Sequence, residues 1–160
     1  MKKLFILCFL LINFNVYSQS NLTPYVVYNI GYDYWKGSFG KLGADLYLVQ
    51  QNNNIFTVSA NANLGYMQDK FRVIPEVGVG YLFNFKNNTL DLYSSNVSSS
   101  FYSARVDVSP WTITPKLGVA ILSVFEINAG YSFEFNERED FKSLDGFRAG
   151  FVFHLPSQLF

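Results

Sequence analysis

Cysteine is almost absent from this chain, and the only one, Cys8, lies in an apolar stretch close to the N-terminus. The remaining domain of about 140 residues has no disulfide, so it must be stabilised by its own core or by a solvent other than water. No stretch after residue 18 reaches the ~18 consecutive apolar residues of a membrane-spanning helix. A membrane protein with this sequence would therefore have to be a β-barrel.

Neither sign of charge is in clear excess. The chain has 12 Lys and Arg against 12 Asp and Glu, and without Lys2 and Lys3 it has 10 against 12, a net charge of −2. The sequence contains no basic patch of the kind that would indicate nucleic-acid binding. There is one histidine, no cluster of Cys and His for a metal, and no Gly-rich phosphate loop between a strand and a helix. We therefore expect neither a nucleic-acid partner nor a cofactor.

The first 18 residues have the layout of a secretory signal peptide. Lys2 and Lys3 form a charged region, residues 4–12 form an apolar run, and Val16 and Ser18 suit the positions before a cleavage site. This predicts a signal peptide over residues 1–18 and a single exported domain over residues 19–160. The alternative is a buried N-terminal helix.

Alternation of polar and apolar residues is the main pattern of the domain. In residues 57–67, TVSANANLGYM, one phase is polar and the other carries Val58, Ala60, Ala62, Leu64 and Tyr66. Successive side chains of a strand point to opposite faces, so this stretch is predicted to be one two-faced β-strand. In a soluble protein the apolar face would be buried, whereas in a membrane barrel it would face lipid.

The same alternation recurs along the chain and predicts eight antiparallel strands. Seven of them lie at about residues 25–35, 39–49, 57–67, 71–85, 111–121, 125–135 and 146–155. Strand five is less clear, because the alternation over residues 102–108 changes phase at Ser109 and Pro110. We expect strand five to end in a turn there; the alternative places it near Leu90, followed by a long, kinked strand six.

The composition of the two phases predicts which of them faces inward. Large aromatic residues on the apolar phase would overfill an eight-stranded barrel, whereas small polar residues and paired charges fit its interior. In water the apolar phase would form an exposed band that soluble monomers avoid. We therefore expect the apolar phase to face lipid and the polar phase to line the lumen. Asp91 lies on the polar phase, as do the members of the predicted lumen charge network: Asp33, Lys41, Asp45, Arg72, Glu76, Arg105, Asp107, Lys116, Glu126, Glu134 and Arg148.

Four Gly-Tyr pairs agree with this assignment of the faces. Each pair places a glycine inward, which leaves room in the lumen, and a tyrosine outward. Tyrosine is enriched at membrane–water interfaces, so these residues are predicted to form an aromatic girdle. Its members are Tyr32, Tyr66, Tyr81 and Tyr131.

With this architecture the chain resembles the small outer-membrane β-barrels of the OmpA/OmpX type, over Tyr25 to Phe160 and without a diagnostic motif. The resemblance implies a monomer in the cell outer membrane, surrounded by outer-membrane lipid. Barrels of this type end in an aromatic residue that the barrel assembly machinery recognises. Here Pro156 interrupts the last strand, so Phe153 or Phe160 would be that residue.

An even number of strands lets both termini lie on one side, and in bacterial barrels this side is the periplasm, so we expect periplasmic termini. The links QQNNN, KNN and Ser123-Val124 would then be short periplasmic turns, and residues 136–145 would form an outer loop. The protein is expected to act structurally or through its outer loops. The alternatives are a porin-like narrow transporter for small or hydrophobic molecules and a secreted, lipocalin-like binding barrel.

Catalysis is not expected. Barrel enzymes that modify lipid need a histidine beside a serine or an acid at the outer rim, whereas His154 is predicted in the lumen near the periplasmic end. A structural histidine is the expectation there. Glu126 and Glu134 could imitate a glycosidase pair, but we expect them to form ion pairs in the lumen.

Overall fold

The computed structural model describes residues 22–50, 52–85, 100–121, 124–136 and 143–157. The predicted signal peptide, the region around Leu90 and Asp91, and Phe160 lie outside the described residues. No helix in the described part of the chain is long and apolar enough to cross a membrane.

Eight β-strands form one closed barrel, in which each strand pairs antiparallel with the next and β8 pairs antiparallel with β1. This confirms the predicted all-β fold and the number of strands. The strands are β1 (Thr23–Tyr34), β2 (Ser38–Val49), β3 (Ile55–Met67), β4 (Lys70–Asn84), β5 (Phe101–Val108), β6 (Thr112–Ile121), β7 (Phe125–Glu134) and β8 (Gly146–Pro156).

The turn predicted after strand five is confirmed. The Ser109 amide donates to the Thr112 carbonyl at 2.9 Å, and the Ser109 hydroxyl accepts from the Thr112 amide at 2.9 Å. These bonds close a tight turn and explain the change of phase, because β5 turns its odd-numbered residues inward and β6 its even-numbered ones. The serine thus supplies the side-chain acceptor that such turns use.

The prediction that KNN joins two strands directly is wrong. β4 ends at Asn84 and β5 begins at Phe101, so the connection runs over residues 85–100, and KNN itself lies outside the described residues. The Phe85 amide donates to the Ser100 carbonyl at 3.1 Å, which holds the two ends of the connection together. The Ser-rich sequence after KNN lacks the alternation of a strand.

The two faces of the barrel have the burial expected from the alternation. In β3 the polar residues Thr57, Ser59 and Asn61 are buried, while Val58 is 41% exposed. Across the described residues, the apolar phase forms a continuous exposed belt of large side chains, and no outward position of the eight strands is charged. The polar phase lines the interior.

Apolar side chains close the interior at both ends of the barrel. We call the end that carries the start of β1 and the end of β8 the terminal end, and the other the distal end. The terminal plug consists of Val27, Tyr47, Ile55, Leu82, Phe101 and Ala120. The distal plug consists of Trp35, Phe39, Met67, Ile74 and Leu144, with Trp111 packed against it.

Inward glycines make room for the long charged side chains between the plugs. A Cβ atom added at Gly80 would lie 2.7 Å from Cγ of Arg105. One added at Gly130 would lie 2.9 Å from Cγ of Lys116 and closer still to the carbonyl oxygen of Pro115. Each glycine therefore lies where a charged side chain of a neighbouring strand crosses the lumen.

We expect Gly130→Ala to lower the free energy of unfolding by about 1–3 kcal/mol, because the added methyl group overpacks the lumen. Gly40→Ala is the matched control, since the nearest atom to its added Cβ is a carbonyl oxygen 3.8 Å away. Urea unfolding in detergent micelles measures both variants. Equal effects at the two positions would contradict the packing explanation.

Candidate functional site

The polar interior between the two plugs is the candidate functional site. The structure brings nine of the predicted charged residues together in the buried lumen: Asp33, Lys41, Asp45, Glu76, Arg105, Asp107, Lys116, Glu126 and Arg148. They form two groups of ion pairs stacked along the barrel axis. We call them the distal cluster and the terminal cluster, after the plug that each one adjoins.

The distal cluster contains three cationic and three anionic side chains: Arg148, Lys41, Lys116, Asp33, Glu76 and Asp107. Its guanidinium, from Arg148 on β8, donates to Asp33 and, at 2.5 Å, to Oε2 of Glu76. The same group lies 4.4 Å from the ring centroid of Trp35, which joins the cluster to the distal plug. The formal charges of the cluster sum to zero.

Two lysines, one on β2 and one on β6, complete the distal cluster. Nζ of Lys41 is 3.1 Å from Oε1 of Glu76, and Nζ of Lys116 is 2.8 Å from Oδ2 of Asp107. The two ammonium groups also lie 3.9 Å and 3.6 Å, respectively, from Oδ2 of Asp33. Each charge thus has more than one neighbour of opposite sign, which offsets the desolvation that burial imposes.

The terminal cluster is built around Arg105 of β5. Its Nη2 lies 3.1 Å from Oδ2 of Asp45 and 3.2 Å from Oε2 of Glu126. The hydroxyl of Ser103 donates to Oε1 of Glu126 at 3.0 Å. Nε2 of His154 lies 3.3 Å from Oε2 of Glu126, so the histidine belongs to this cluster.

Two members of the predicted network lie at the distal end and are only half-buried: Arg72 in β4 and Glu134 in β7. Oε2 of Glu134 accepts from the Ser143 hydroxyl at 2.9 Å and from the Leu144 amide at 3.0 Å. Glu134 therefore anchors the β7–β8 connection. Glu126 lies in the terminal cluster, so these two carboxylates sit at opposite ends of β7.

The four predicted girdle tyrosines all lie on the outward phase. The Tyr32 hydroxyl forms a hydrogen bond with the Ser38 hydroxyl at 2.8 Å. The Tyr66 hydroxyl donates to the Asp69 carbonyl at 2.9 Å, and the Tyr131 hydroxyl donates to the Asp145 carboxylate at 3.0 Å. All three bonds lie toward the distal end. The Tyr81 hydroxyl donates to Gln50 at 2.7 Å at the terminal end. Each ring therefore directs its polar tip toward a rim of the barrel.

The apolar plugs were not predicted from the sequence. Phe39 and Tyr47 share the inward phase of Lys41 and Asp45, so the alternation carries this signal. Trp35 continues the inward phase of β1, and its Nε1 donates to the carbonyl of Leu144 at 2.7 Å. The middle of the lumen is therefore polar, and aromatic and aliphatic side chains close it at both ends.

Besides the lumen, the structure has an apolar depression of about 880 Å³ on the outer face of the barrel. Its lining includes the small residues Ala104, Pro115 and Ala129 and the aromatic residues Phe56 and Phe133. Within the described ranges, no group of three or more His, Cys, Asp or Glu side chains could hold a metal ion.

Comparison of the chain with protein-family models, with curated proteins and with solved structures gives no match.

We expect Arg148→Ala to destabilise the barrel by about 3–5 kcal/mol, because it leaves Asp33 and Glu76 buried without their guanidinium partner. Lys70→Ala is the control, since Lys70 is exposed at the start of β4 and its removal should change stability by less than about 0.5 kcal/mol. Urea unfolding midpoints measure both.

The double variant Arg148→Ala/Glu76→Gln separates the pair from the rest of the cluster. Its loss of unfolding free energy should be smaller than the sum of the losses in the two single variants. The reason is that the double variant removes the positive charge of Arg148 together with the negative charge of its partner Glu76. Additive effects would contradict a shared ion pair.

Proposed function

We propose that this protein is a small outer-membrane β-barrel whose lumen is closed by its own side chains and which acts structurally or through its loops. The observation that carries the proposal is the inverted arrangement of the barrel. Charged side chains fill the interior, while large apolar side chains cover the outside.

The exposed belt supports lipid as the surrounding solvent. Val79 is 52% exposed and Leu117 is 72% exposed, and both belong to a surface without any outward charge on the strands. Soluble monomers do not cover themselves with contiguous apolar surface on this scale. The strands contain 8 to 15 residues, and about 9–11 residues cross a bilayer at a tilt.

The orientation in the membrane is part of the proposal. Both termini would lie in the periplasm after removal of residues 1–18, and the distal turns would face outward. Loop length does not indicate this direction, because residues 85–100 at the terminal end form a longer connection than residues 135–145 at the distal end. The proposed orientation therefore rests on the resemblance to bacterial barrels with periplasmic termini.

The filled interior favours a closed barrel over a binding protein of the lipocalin kind. Such a binder needs an internal cavity for its ligand, whereas the two plugs and the two charge clusters occupy this lumen. The depression on the outer face gives the transporter hypothesis its one supporting feature, as a lateral site for a hydrophobic molecule. An open transporter would pass steady current in planar bilayers; the closed barrel would not.

Cell fractionation tests the proposed location. The full chain, expressed with its N-terminal residues, should appear in the outer-membrane fraction and should migrate differently on gels before and after boiling, as folded barrels do. Recovery in the soluble periplasmic fraction would contradict the proposal.

Val79→Arg tests which solvent meets the belt. In lipid the variant should lose about 2–4 kcal/mol of folding free energy, because arginine would lie near the middle of the bilayer. In water the same exposed position would tolerate arginine with a change of less than about 0.5 kcal/mol. Folding of the wild type and of Val79→Arg into lipid vesicles over a urea series distinguishes a large loss of stability from a small one. Lys70→Arg is the control for a guanidinium placed at the rim.

A further inference from the structure

His154 is fully enclosed in the terminal cluster, with 1% of its surface exposed. It lies on β8 between β1 and β7, opposite Asn29. Its Nδ1 is 2.9 Å from Oδ1 of Asn29, and its Nε2 is 3.3 Å from Oε2 of Glu126. Both ring nitrogens therefore have a close oxygen neighbour.

The hydrogen bonds of Asn29 determine which of its side-chain atoms faces the histidine. Its Nδ2 lies 2.6 Å from Oδ1 of Asp45 and 3.2 Å from Oδ1 of Asn61. A carboxylate only accepts hydrogen bonds, so the amide nitrogen must point to Asp45 and the amide oxygen to His154. This oxygen is also only an acceptor.

Both ring nitrogens of His154 thus face acceptors, and a neutral imidazole has only one N–H to donate. The formal charges lead to the same conclusion. Asp45 and Glu126 contribute two negative charges and Arg105 one positive charge. A protonated ring is the second positive charge, which brings the terminal cluster to zero, as in the distal cluster.

The groups that face the ring come from several strands. Among the described residues, β2 supplies Asp45, whose Oδ2 is 3.8 Å from Nδ1, and Tyr47, whose ring centroid is 5.8 Å away. β7 supplies Glu126, and Arg105 of β5 binds both carboxylates. Tyr47 also belongs to the terminal plug, so the ring joins the cluster to that plug.

We propose that His154 is held as an imidazolium and acts as a proton-dependent latch that fastens β8 and the terminal plug to the charged interior. Loss of one ring proton leaves the terminal cluster with one excess negative charge. It also leaves a bare ring nitrogen facing an oxygen. The latch then weakens at the ring of His154, which also packs against Tyr47 of the terminal plug. The proposal concerns the interior and does not depend on the solvent outside the barrel.

The pH dependence of stability tests the latch. Free histidine loses its proton near pH 6.5. Because the folded protein retains the proton and the unfolded chain does not, stability should be greatest below this range and should fall as the pH rises. The folding equilibrium constant should decrease by up to about tenfold per pH unit for one proton. Urea unfolding of the full mature chain in detergent micelles, from about pH 5 to pH 9, measures the slope.

Two variants identify the source of the slope. His154→Gln keeps a polar side chain without a titrating ring and should remove this pH dependence. Glu126→Gln removes one negative charge, so the cluster balances with a neutral ring, and the slope should shrink. A wild-type slope equal to that of His154→Gln would overturn the proposal.

The protonation state can also be observed without any variant. The chain contains a single histidine, so its ring nitrogens give one assignable set of nitrogen-15 signals in a tag-free sample. At about pH 7.5 both ring nitrogens of the folded protein should carry a proton, whereas a free histidine is mostly neutral there. A single neutral tautomer in the folded protein would overturn the proposal, even if His154→Gln does not fold.

Discussion

The pairing of buried charges in the lumen is the constraint on which the rest of this structure depends. Ionised side chains removed from water are costly unless each one meets opposite charge and hydrogen-bond partners. In the distal cluster, three cations and three anions from six strands give every charge a neighbour of opposite sign. The inward glycines leave space for the long charged side chains, and the two plugs close the lumen on either side of the clusters.

The alternation of the strands made most of the fold predictable. Because side chains in a strand alternate between two faces, the inward set was fixed once the phase of each strand was known, as at Asn61 and Lys41. Strand five was found through the change of phase at Ser109, where a serine can close a turn. The connection over residues 85–100 was missed, since KNN alone has the composition of a turn and a Ser-rich stretch has no period to follow.

Contacts across the lumen could not be predicted in the same way. Alternation shows that Asp33 and Arg148 both point inward, but these residues are 115 positions apart and meet only because the barrel closes. The division of the charges into two clusters depends on the stagger between strands, which one sequence does not display. For the same reason His154 was predicted as a lumen residue, while its contacts with Asn29 and Glu126 emerged only from the structure.

The strand that closes the barrel, β8, determines when the charges of the interior become balanced during assembly. β8 pairs with β1 to complete the wall, and it carries Arg148 into the distal cluster and His154 into the terminal cluster. A sheet made of the first seven strands therefore holds one unmatched anion in the distal cluster. On our proposal for His154, it holds a second in the terminal cluster. β8 is thus the strand that neutralises the interior, so the lumen reaches charge balance only when β8 has paired with β1 and closed the barrel.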